Sequence, residues 1–421
     1  MSTTWTLFRL AWQSLWSRRF IVLLTAFTVT TSTLLLFAVD KLRHDARRSF
    51  LSTVSGVDLI VGARTGDVQL LLYSVFHIGD ATNNFSWTSY QQLADNPSVS
   101  WAVPLSLGDS HRGYRVIGTS QALFEHYQFG EKRPLVFASG ARFDGLFDAV
   151  IGSEVARTLN YQLGQPLVLA HGTGTRTTQK HDDLPFRVSG ILAATGTPLD
   201  RSVLVSVQAI TAIHIGWESG VRRINSAPEQ VQQRNLTPTS ITAALIGLKN
   251  RGQAFMMQRQ INQSPEEPLM AIFPGFTLQR LWALLGTVET ALLIISSAVV
   301  VAGMLGMLVM LLATLEQRRR EMALLRSVGA RPRHVAALLV FESSLLATAG
   351  VAAALFLLAL LSRFGGAYLA ARWGLFLDQS ILTPSVLYLA ATVIAAGSSL
   401  GLLPAYWAYR RSLADGLTPR V

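Results

Sequence analysis

Four long stretches of apolar residues restrict the fold of this chain more than any other feature of its sequence. A helix needs about 20 mostly apolar residues to cross the roughly 30 Å of hydrocarbon in a bilayer. The stretches predict transmembrane helices over 20–40, 281–315, 335–361 and 381–407. The segment 281–315 begins with a stalk, which is the helical part that precedes the span itself. Charged residues make up 14% of the 421 residues, far below the roughly 25% that is usual in soluble globular proteins.

A cleaved signal peptide is the alternative interpretation of the first stretch. Its apolar run from Phe20 to Val39 is longer than the roughly 7–15 residues that are usual in such signals. No small-x-small cleavage site precedes Asp40. We therefore predict a helix that is retained in the mature protein.

Arginine residues cluster in three short segments beside the predicted helices, at 1–19, 316–334 and 408–421. Short loops rich in lysine and arginine stay on the cytoplasmic side of a membrane, whereas long domains cross regardless of charge. We therefore expect both termini in the cytoplasm, with residues 41–280 and the short loop 362–380 on the periplasmic side of a bacterial inner membrane. The net charge of +11 lies beside the apolar stretches, so it indicates membrane topology and not nucleic-acid binding.

Residues 41–280 alternate short β-rich runs with short helical segments. The predicted strands cover 57–62, 99–107, 113–119, 166–170, 185–194, 202–206, 242–249 and 269–273. A helix is predicted over 86–97, opening at Ser86 and stopped before Pro97, another over 252–263, and a strand followed by a helix over 148–164. Residues 173–183 and 218–240 are polar and indicate loops. The predicted fold class is therefore membrane α-helical, with four transmembrane helices and a large inserted α+β periplasmic domain.

The segment between the second and third apolar stretches, residues 316–346, is the most specific motif. Basic residues meet the end of a span, and a short amphipathic helix from Glu321 to Val328 is predicted to end at Gly329. Gly329 suits the left-handed position after a helix, and Pro332 suits the first turn of the next helix. A short helix on the cytoplasmic face that connects two spans can transmit a displacement from a soluble partner to both of them.

This segment resembles the FtsX-like permease domain of the MacB and lipoprotein-releasing (Lol) ABC transporter superfamily. The family pattern, R-x-x-E-[IM]-[AG]-[LV]-[LM]-[RK]-[AS]-[IVL]-G-[AM], is matched by Arg318, Glu321, Met322, Ala323, Leu324, Leu325, Arg326, Ser327, Val328, Gly329 and Ala330. The tail at 404–417 resembles the closing motif of the family but has Leu413, Ala414 and Asp415 where a proline and a glutamate are common. Residues 6–20 resemble the amphipathic helix before the first span, and 137–169 resemble the periplasmic core.

The resemblance implies a permease that transmits motion and does not form a pore. Permeases of this type form dimers, so the implied partners are a cytoplasmic ABC ATPase dimer and a second permease copy or homologue. A periplasmic adaptor, lipoprotein or client protein is a further candidate partner. The cargo would be a lipoprotein, peptide or amphiphile. The residues implied in ATPase coupling are Arg318, Glu321, Met322, Leu325, Arg326, Val328 and Gly329.

Three alternatives to this interpretation stay open. The arginine-rich segment 318–330 can serve as a positive membrane anchor alone. The protein can be a regulator that transports nothing and activates a periplasmic hydrolase. A sensor that works with a histidine kinase is also known among relatives, but those usually have ten spans.

The sequence predicts no catalytic site, cofactor or metal in this chain. It lacks the motif G-x-x-x-x-G-K-[ST], so ATP would be bound by the partner, and it lacks H-E-x-x-H. Without cysteine, thiol catalysis and cysteine-based metal sites are excluded. Seven of the eight histidines lie in residues 41–280, and His181, Asp182 and Asp183 are adjacent, but no local ligand spacing accompanies them. Glu289 and Glu342 are the candidate ionisable residues within the spans, and both lie near span ends.

Overall fold

The computed structural model describes residues 19–172, 184–215, 231, 234–317, 331–373 and 380–410. Within them, helices long and apolar enough to span a membrane cover Arg19–Leu51, Gly286–Leu315, Arg333–Gly366 and Pro384–Trp407. Their large side chains include many that are exposed, among them Phe27, Ile294 and Phe356, each more than 60% accessible. Apolar side chains exposed on helices of this length suit contact with lipid.

The described helices and strands are numbered here in chain order. The helices are α1 (Arg19–Leu51), α2 (Asp67–Val75), α3 (Trp87–Ala94), α4 (Ala122–His126), α5 (Ser153–Leu159), α6 (Val207–His214), α7 (Ala254–Asn262), α8 (Pro274–Gln317), α9 (Pro332–Trp373), α10 (Pro384–Leu400) and α11 (Leu402–Arg410). The strands are β1 (Leu59–Ala63), β2 (Phe85–Ser86), β3 (Val99–His111), β4 (Tyr114–Thr119), β5 (Gln128–Phe129), β6 (Arg133–Pro134), β7 (Phe137–Gly140), β8 (Asp148–Ile151), β9 (Pro166–Leu167), β10 (Ala170–His171), β11 (Phe186–Leu192), β12 (Ser202–Ser206), β13 (Ser240–Ile241), β14 (Ala243–Leu248) and β15 (Leu269–Ile272).

The chain divides into two compact units. The helical unit consists of the described residues within Met1–Asp45, Leu285–Tyr368 and Leu377–Val421. The sheet unit consists of those within Ala46–Leu284 and Leu369–Phe376. The divisions at Asp45 and Leu284 fall inside α1 and α8, so both units contain part of each of these continuous helices.

One mixed sheet forms the centre of the sheet unit, with the strand order β15-β1-β14-β3-β4-β12-β8-β11-β7. Strands β12 and β4 are parallel, as are β11 and β8, and the other neighbours along this order are antiparallel. The 13-residue strand β3 pairs with β14, β4 and β10. Because β-branched and aliphatic residues fill this sheet on both faces, the apolar runs of the sequence predicted most of its strands. The sheet and the four long helices confirm the predicted fold class.

The start of helix α3 shows how distant residues fix the sheet unit. The Ser86 hydroxyl accepts from the Ser89 backbone N–H at 3.2 Å, which is the predicted N-cap. Glu267, far along the chain, accepts from the Ser86 N–H at 2.9 Å and from the Ser89 hydroxyl at 2.6 Å. Burial alone would raise the pKa of Glu267, but the hydrogen bonds from Ser89 and Ser86 outweigh burial and lower this pKa.

Small residues bring the helices of the helical unit close together. A Cβ atom added at Gly350 of α9 would lie 2.6 Å from Val29 Cγ1 of α1. A Cβ atom at Gly397 of α10 would lie 2.6 Å from Ala347 Cβ of α9. Close approach of this kind is typical of membrane helices, where packing and not exclusion of water holds helices together.

The long helices extend beyond the predicted spans. Helix α1 continues to Leu51, and α8 begins at Pro274, where a missing N–H costs nothing in a first turn. Helix α9 continues to Trp373 through Gly365 and Gly366 and an alanine-rich segment, so much of the loop expected at 362–380 is helical. The fourth span breaks after Leu400, because the ring of Pro404 conflicts with the carbonyl four residues earlier.

Candidate functional site

The residues assigned to ATPase coupling, Arg318, Glu321, Met322, Leu325, Arg326, Val328 and Gly329, lie outside the described residues, as do the matched segments at 6–18 and 411–417. The helices that lead into and out of segment 318–330 are described. Leu315 at the end of α8 packs with Val335 and Leu339 of α9 and Ala405 of α11. The described helices that flank the motif therefore meet in one apolar cluster of the helical unit.

A buried group of charged residues follows the apolar part of α1. Lys41 Nζ lies 3.0 Å from Asp45 Oδ2, and the two side chains are 5% and 8% exposed. Lys41 also donates to the Ser380 carbonyl at 3.3 Å, and Asp40 accepts from the Ser385 hydroxyl of α10 at 2.8 Å. The group ties α1 to the start of α10 within the helical unit. Sequence reasoning missed it because the burial of the group depends on Ser380 and Ser385, which lie more than 300 residues away.

Of the two carboxylates considered within the spans, Glu342 is 6% exposed in α9, and Glu289 is partly buried in α8. Burial of Glu342 fits the expectation that ionisable residues inside a bundle face protein and not lipid.

A cavity of about 610 Å³ lies within the sheet unit. One wall is aromatic, since Phe50 stacks on Phe76 at 5.0 Å between ring centroids and contacts Trp282 at 5.2 Å. The charged residues of the lining are of both signs, since Arg115 and Arg201 lie there with Glu154 and Asp200, and His77 is a further polar residue. A cavity with an aromatic wall and charged groups of both signs can accept a ligand that has an apolar part and a polar part.

His77 has an unusual environment in this cavity. Its backbone is left-handed, with a φ of 56°, and its Nδ1 lies 3.1 Å from the Ser202 hydroxyl. Burial, helped by the positive charge of Arg115, lowers the pKa of His77 to about 3. His77 is therefore neutral in the folded protein at every physiological pH.

We expect His77 to make the sheet unit less stable as the pH falls from about 6.5 towards 3. The unfolded chain binds a proton at His77 below about pH 6.5, and the folded chain does not, so protonation favours unfolding with a slope of at most about 1.4 kcal/mol per pH unit. His77→Asn removes the titrating group and tolerates the left-handed backbone. Hydrogen exchange of the β3 and β4 amides at pH 6.5 and 5.0 measures this effect. Equal losses of protection in the wild type and the variant would contradict it.

A second cluster brings together Asp109, His171 and His214, which come from three different elements. A register shift in β3 between Leu107 and Ser110 creates a bulge at Asp109, and the neighbouring β10 places His171 directly opposite. His214 is the last residue of α6. The three ligand atoms, one from each residue, lie within 4.8 Å of one another. A bulge commonly redirects a side chain beside a functional site.

The cluster borders a cavity of about 440 Å³ in the sheet unit, whose lining also includes Asn84, Thr211 and Ser240. Asp109 is 3% exposed, whereas the two histidines are partly exposed to this cavity. Sequence reasoning looked for histidines at local spacing, so it found the adjacent residues His181, Asp182 and Asp183, which lie outside the described residues. Only the pairing of β3 with β10 and the packing of α6 bring the described three together.

Comparison with known families accounts for most of the chain. The model of the MacB-like periplasmic core domain matches residues 22–261, which is more than half of the chain. The model of the FtsX-like permease C-terminal domain matches residues 293–413. No curated protein matches the sequence.

Two solved structures are similar to part of the chain. The periplasmic region of MacB from Actinobacillus actinomycetemcomitans aligns with a TM-score of 0.32 and 8% identity, over 54% of this chain and 94% of that one. The extracellular domain of the noncanonic ABC-type transporter YknZ from Gram-positive bacteria aligns with a TM-score of 0.29 and 12% identity, over 51% and 98%. On the two family models, this chain belongs to the FtsX-like permeases that carry a MacB-like periplasmic core domain.

Proposed function

We propose that this chain is the permease subunit of an ABC transporter in the bacterial inner membrane, with both termini in the cytoplasm. Permeases of the FtsX and MacB type work in a membrane with an ATPase partner. The chain has no P-loop motif, so ATP is bound by a separate cytoplasmic ATPase dimer. A second copy of the permease, or a homologue, completes the assembly.

The observation that carries this proposal is the length of α1 and α8. They contain 33 and 44 residues, which at about 1.5 Å per residue correspond to roughly 50 and 66 Å. A bilayer requires only about 30 Å of this length. A continuous helix does not stretch, so a displacement at its cytoplasmic end reaches the residues that it contributes to the sheet unit. Helix α8 also leads directly into the matched motif at 318–330.

The cargo class follows from the cavity lined by Phe50, Phe76, Trp282 and Arg115. Its aromatic wall, beside side chains of both charges, favours a lipoprotein, a peptide or another amphiphile over a small inorganic ion. The same motion of the sheet unit can instead activate a periplasmic hydrolase. The two functions differ in what the sheet unit contacts, so a single purification experiment addresses both.

The first test is affinity purification of the tagged protein from its native membrane in mild detergent, followed by mass spectrometry. We expect a P-loop ATPase at about one copy per permease, as the family arrangement implies. A co-purifying adaptor or lipoprotein would support transport, and a co-purifying hydrolase would support regulation. Absence of any ATPase after gentle crosslinking would refute the coupling role.

We expect the double variant Glu321→Ala/Arg326→Ala to lose coupling while still inserting into the membrane. If these two residues contact the ATPase, co-purified ATPase should fall by about tenfold, which corresponds to roughly 1.4 kcal/mol and is modest for a charged contact. The matched control is Glu316→Ala/Arg320→Ala, which also removes one acid and one base but lies outside the set of residues implied in coupling. Equal ATPase recovery in both double variants would refute the role of this motif and leave only a membrane anchor.

A further inference from the structure

We propose that Asp109, His171 and His214 form a binding site for one divalent transition metal ion of the Zn²⁺ type. This goes beyond the proposed permease function and departs from the expectation, drawn from local residue spacing, that the chain holds no metal. The site lies wholly within the sheet unit. Its ligands would be Asp109 Oδ1, His171 Nδ1 and His214 Nε2.

The distances between the ligand atoms fit a tetrahedral ion. His214 Nε2 lies 3.2 Å from His171 Nδ1, and Asp109 Oδ1 lies 3.3 Å from His171 Nδ1 and 3.7 Å from His214 Nε2. Zinc bonds of about 2.0–2.1 Å in a tetrahedron place ligand atoms about 3.3–3.4 Å apart. An ion about 0.7 Å out of the plane of the three atoms would lie about 2.1 Å from each of them.

The hydrogen bond of His214 prepares its other nitrogen for a metal. His214 Nδ1 lies 2.6 Å from the carbonyl oxygen of Ile210, one turn earlier in α6. A carbonyl oxygen only accepts hydrogen bonds, so Nδ1 carries the proton, and Nε2 of the neutral ring presents a lone pair to the cluster. A histidine that ligates a metal usually donates its second ring N–H to a carbonyl or carboxylate in this way.

Asp109 supplies the second, independent observation that points to a ligand. Its carboxylate is 4% exposed, and its ion-pair partners are His171 and His214, at 3.3 and 3.7 Å. Oδ1, the atom that faces both imidazoles, is fully buried and has no hydrogen-bond partner among the described residues. A buried carboxylate oxygen without a hydrogen bond is costly, and a bound cation would compensate this cost.

The donor set selects the class of ion. Two imidazole nitrogens with one carboxylate suit zinc, copper, nickel or ferrous iron, whereas Mg²⁺ and Ca²⁺ prefer oxygen ligands. Three protein ligands leave the fourth position of a tetrahedral ion open. Because the cluster borders the cavity of about 440 Å³, this position is available to water or to a side chain from a bound client.

The test measures Zn²⁺ binding to the full-length protein, purified in detergent and stripped with chelator. Competition with a chromophoric chelator should show one site per chain that a large excess of Mg²⁺ does not occupy. Asp109→Asn keeps the shape of the side chain, and His214→Ala removes a ligand; each should weaken Zn²⁺ binding by about 100-fold or more, beyond the 10–100-fold typical of outer-shell partners. Circular dichroism and elution volume identify any variant that fails to fold.

Two control variants and the spectrum of the Co²⁺-loaded protein distinguish binding at this cluster from binding at other histidines. His126→Gln changes a histidine of the sheet unit outside the cluster and should bind Zn²⁺ normally. His181→Ala tests the adjacent residues His181, Asp182 and Asp183, and should also bind normally. The Co²⁺-loaded protein should show the intense visible bands of a four-coordinate ion, and Asp109→Asn should lose them. Absence of a stoichiometric site, normal binding by Asp109→Asn, or loss of binding in His181→Ala would overturn the proposal.

Discussion

Lys41→Met is expected to destabilise the helical unit by about 3–5 kcal/mol, the usual cost of removing one partner from a buried ion pair. Lys41 and Asp45 are 3.0 Å apart and almost fully buried. Methionine fills a similar volume but leaves the carboxylate of Asp45 buried without its cation. The Ser380 carbonyl also loses a donor. Reversible unfolding of the full-length protein in mixed detergent micelles measures the free energy of unfolding.

A double-mutant cycle separates the charge pair from simple loss of packing. Lys41→Met combined with Asp45→Leu replaces the pair by apolar groups, which is often neutral or stabilising for buried ion pairs. We therefore expect the double variant to recover at least half of the loss, with a coupling energy of about 2 kcal/mol or more. A coupling energy below about 0.5 kcal/mol would contradict the assignment of a buried pair.

Arg43→Met is the matched control for this cycle. Arg43 lies two residues from Lys41 on the same helix and pairs with Asp40 at 3.2 Å, but its side chain is 28% exposed. Because Arg43 is partly exposed and Asp40 keeps the hydrogen bond from the Ser385 hydroxyl, we expect a smaller loss than in Lys41→Met. A loss in Arg43→Met as large as that in Lys41→Met would show that any charge removed from this turn destabilises the protein, whatever its burial.

The parts of the fold that were predictable from sequence are those that depend on local composition. Each span needs a long apolar run, and few other structures accept one. Strands such as β12 and β14 were predicted because each is a short run of apolar residues between turn signals, and the first part of β3 was predicted for the same reason. The cap at Ser86 was predicted because serine before an amphipathic run satisfies the first N–H groups of a helix.

Other features depend on contacts between distant residues, and the sequence alone did not indicate them. Helices α2 and α6 are short and largely apolar, and such runs do not distinguish a helix from a buried strand by periodicity. The carboxylate of Glu267 at the cap of α3, the burial of the local pair Lys41 and Asp45, and the cluster around Asp109 require the packed structure. In each of these three features, the role of the residues is apparent only from their burial and from the distances between their atoms in the folded chain.

Gly350→Leu is expected to destabilise the helical unit by about 3 kcal/mol or more, at the upper end of the cost of overpacking. A Cβ atom at this position of α9 would already lie 2.6 Å from Val29 Cγ1 and 3.1 Å from Val29 Cβ. Val29 is β-branched, so its side chain in α1 has few alternative rotamers by which to move aside. The helices would have to separate, and the close packing that holds membrane helices together would be lost.

A graded series tests whether this contact is the cause. Gly350→Ala should cost less than Gly350→Leu, and Val29→Ala should restore at least half of the stability of Gly350→Leu by making room on α1. Gly306→Leu is the control, because no atom other than the local backbone of α8 lies within 4 Å of a Cβ atom added at Gly306. Its effect should stay within about 1 kcal/mol, since leucine has a higher helix propensity than glycine. No rescue by Val29→Ala, or an equal loss in Gly306→Leu, would show that the contact between α1 and α9 does not limit the stability of the unit.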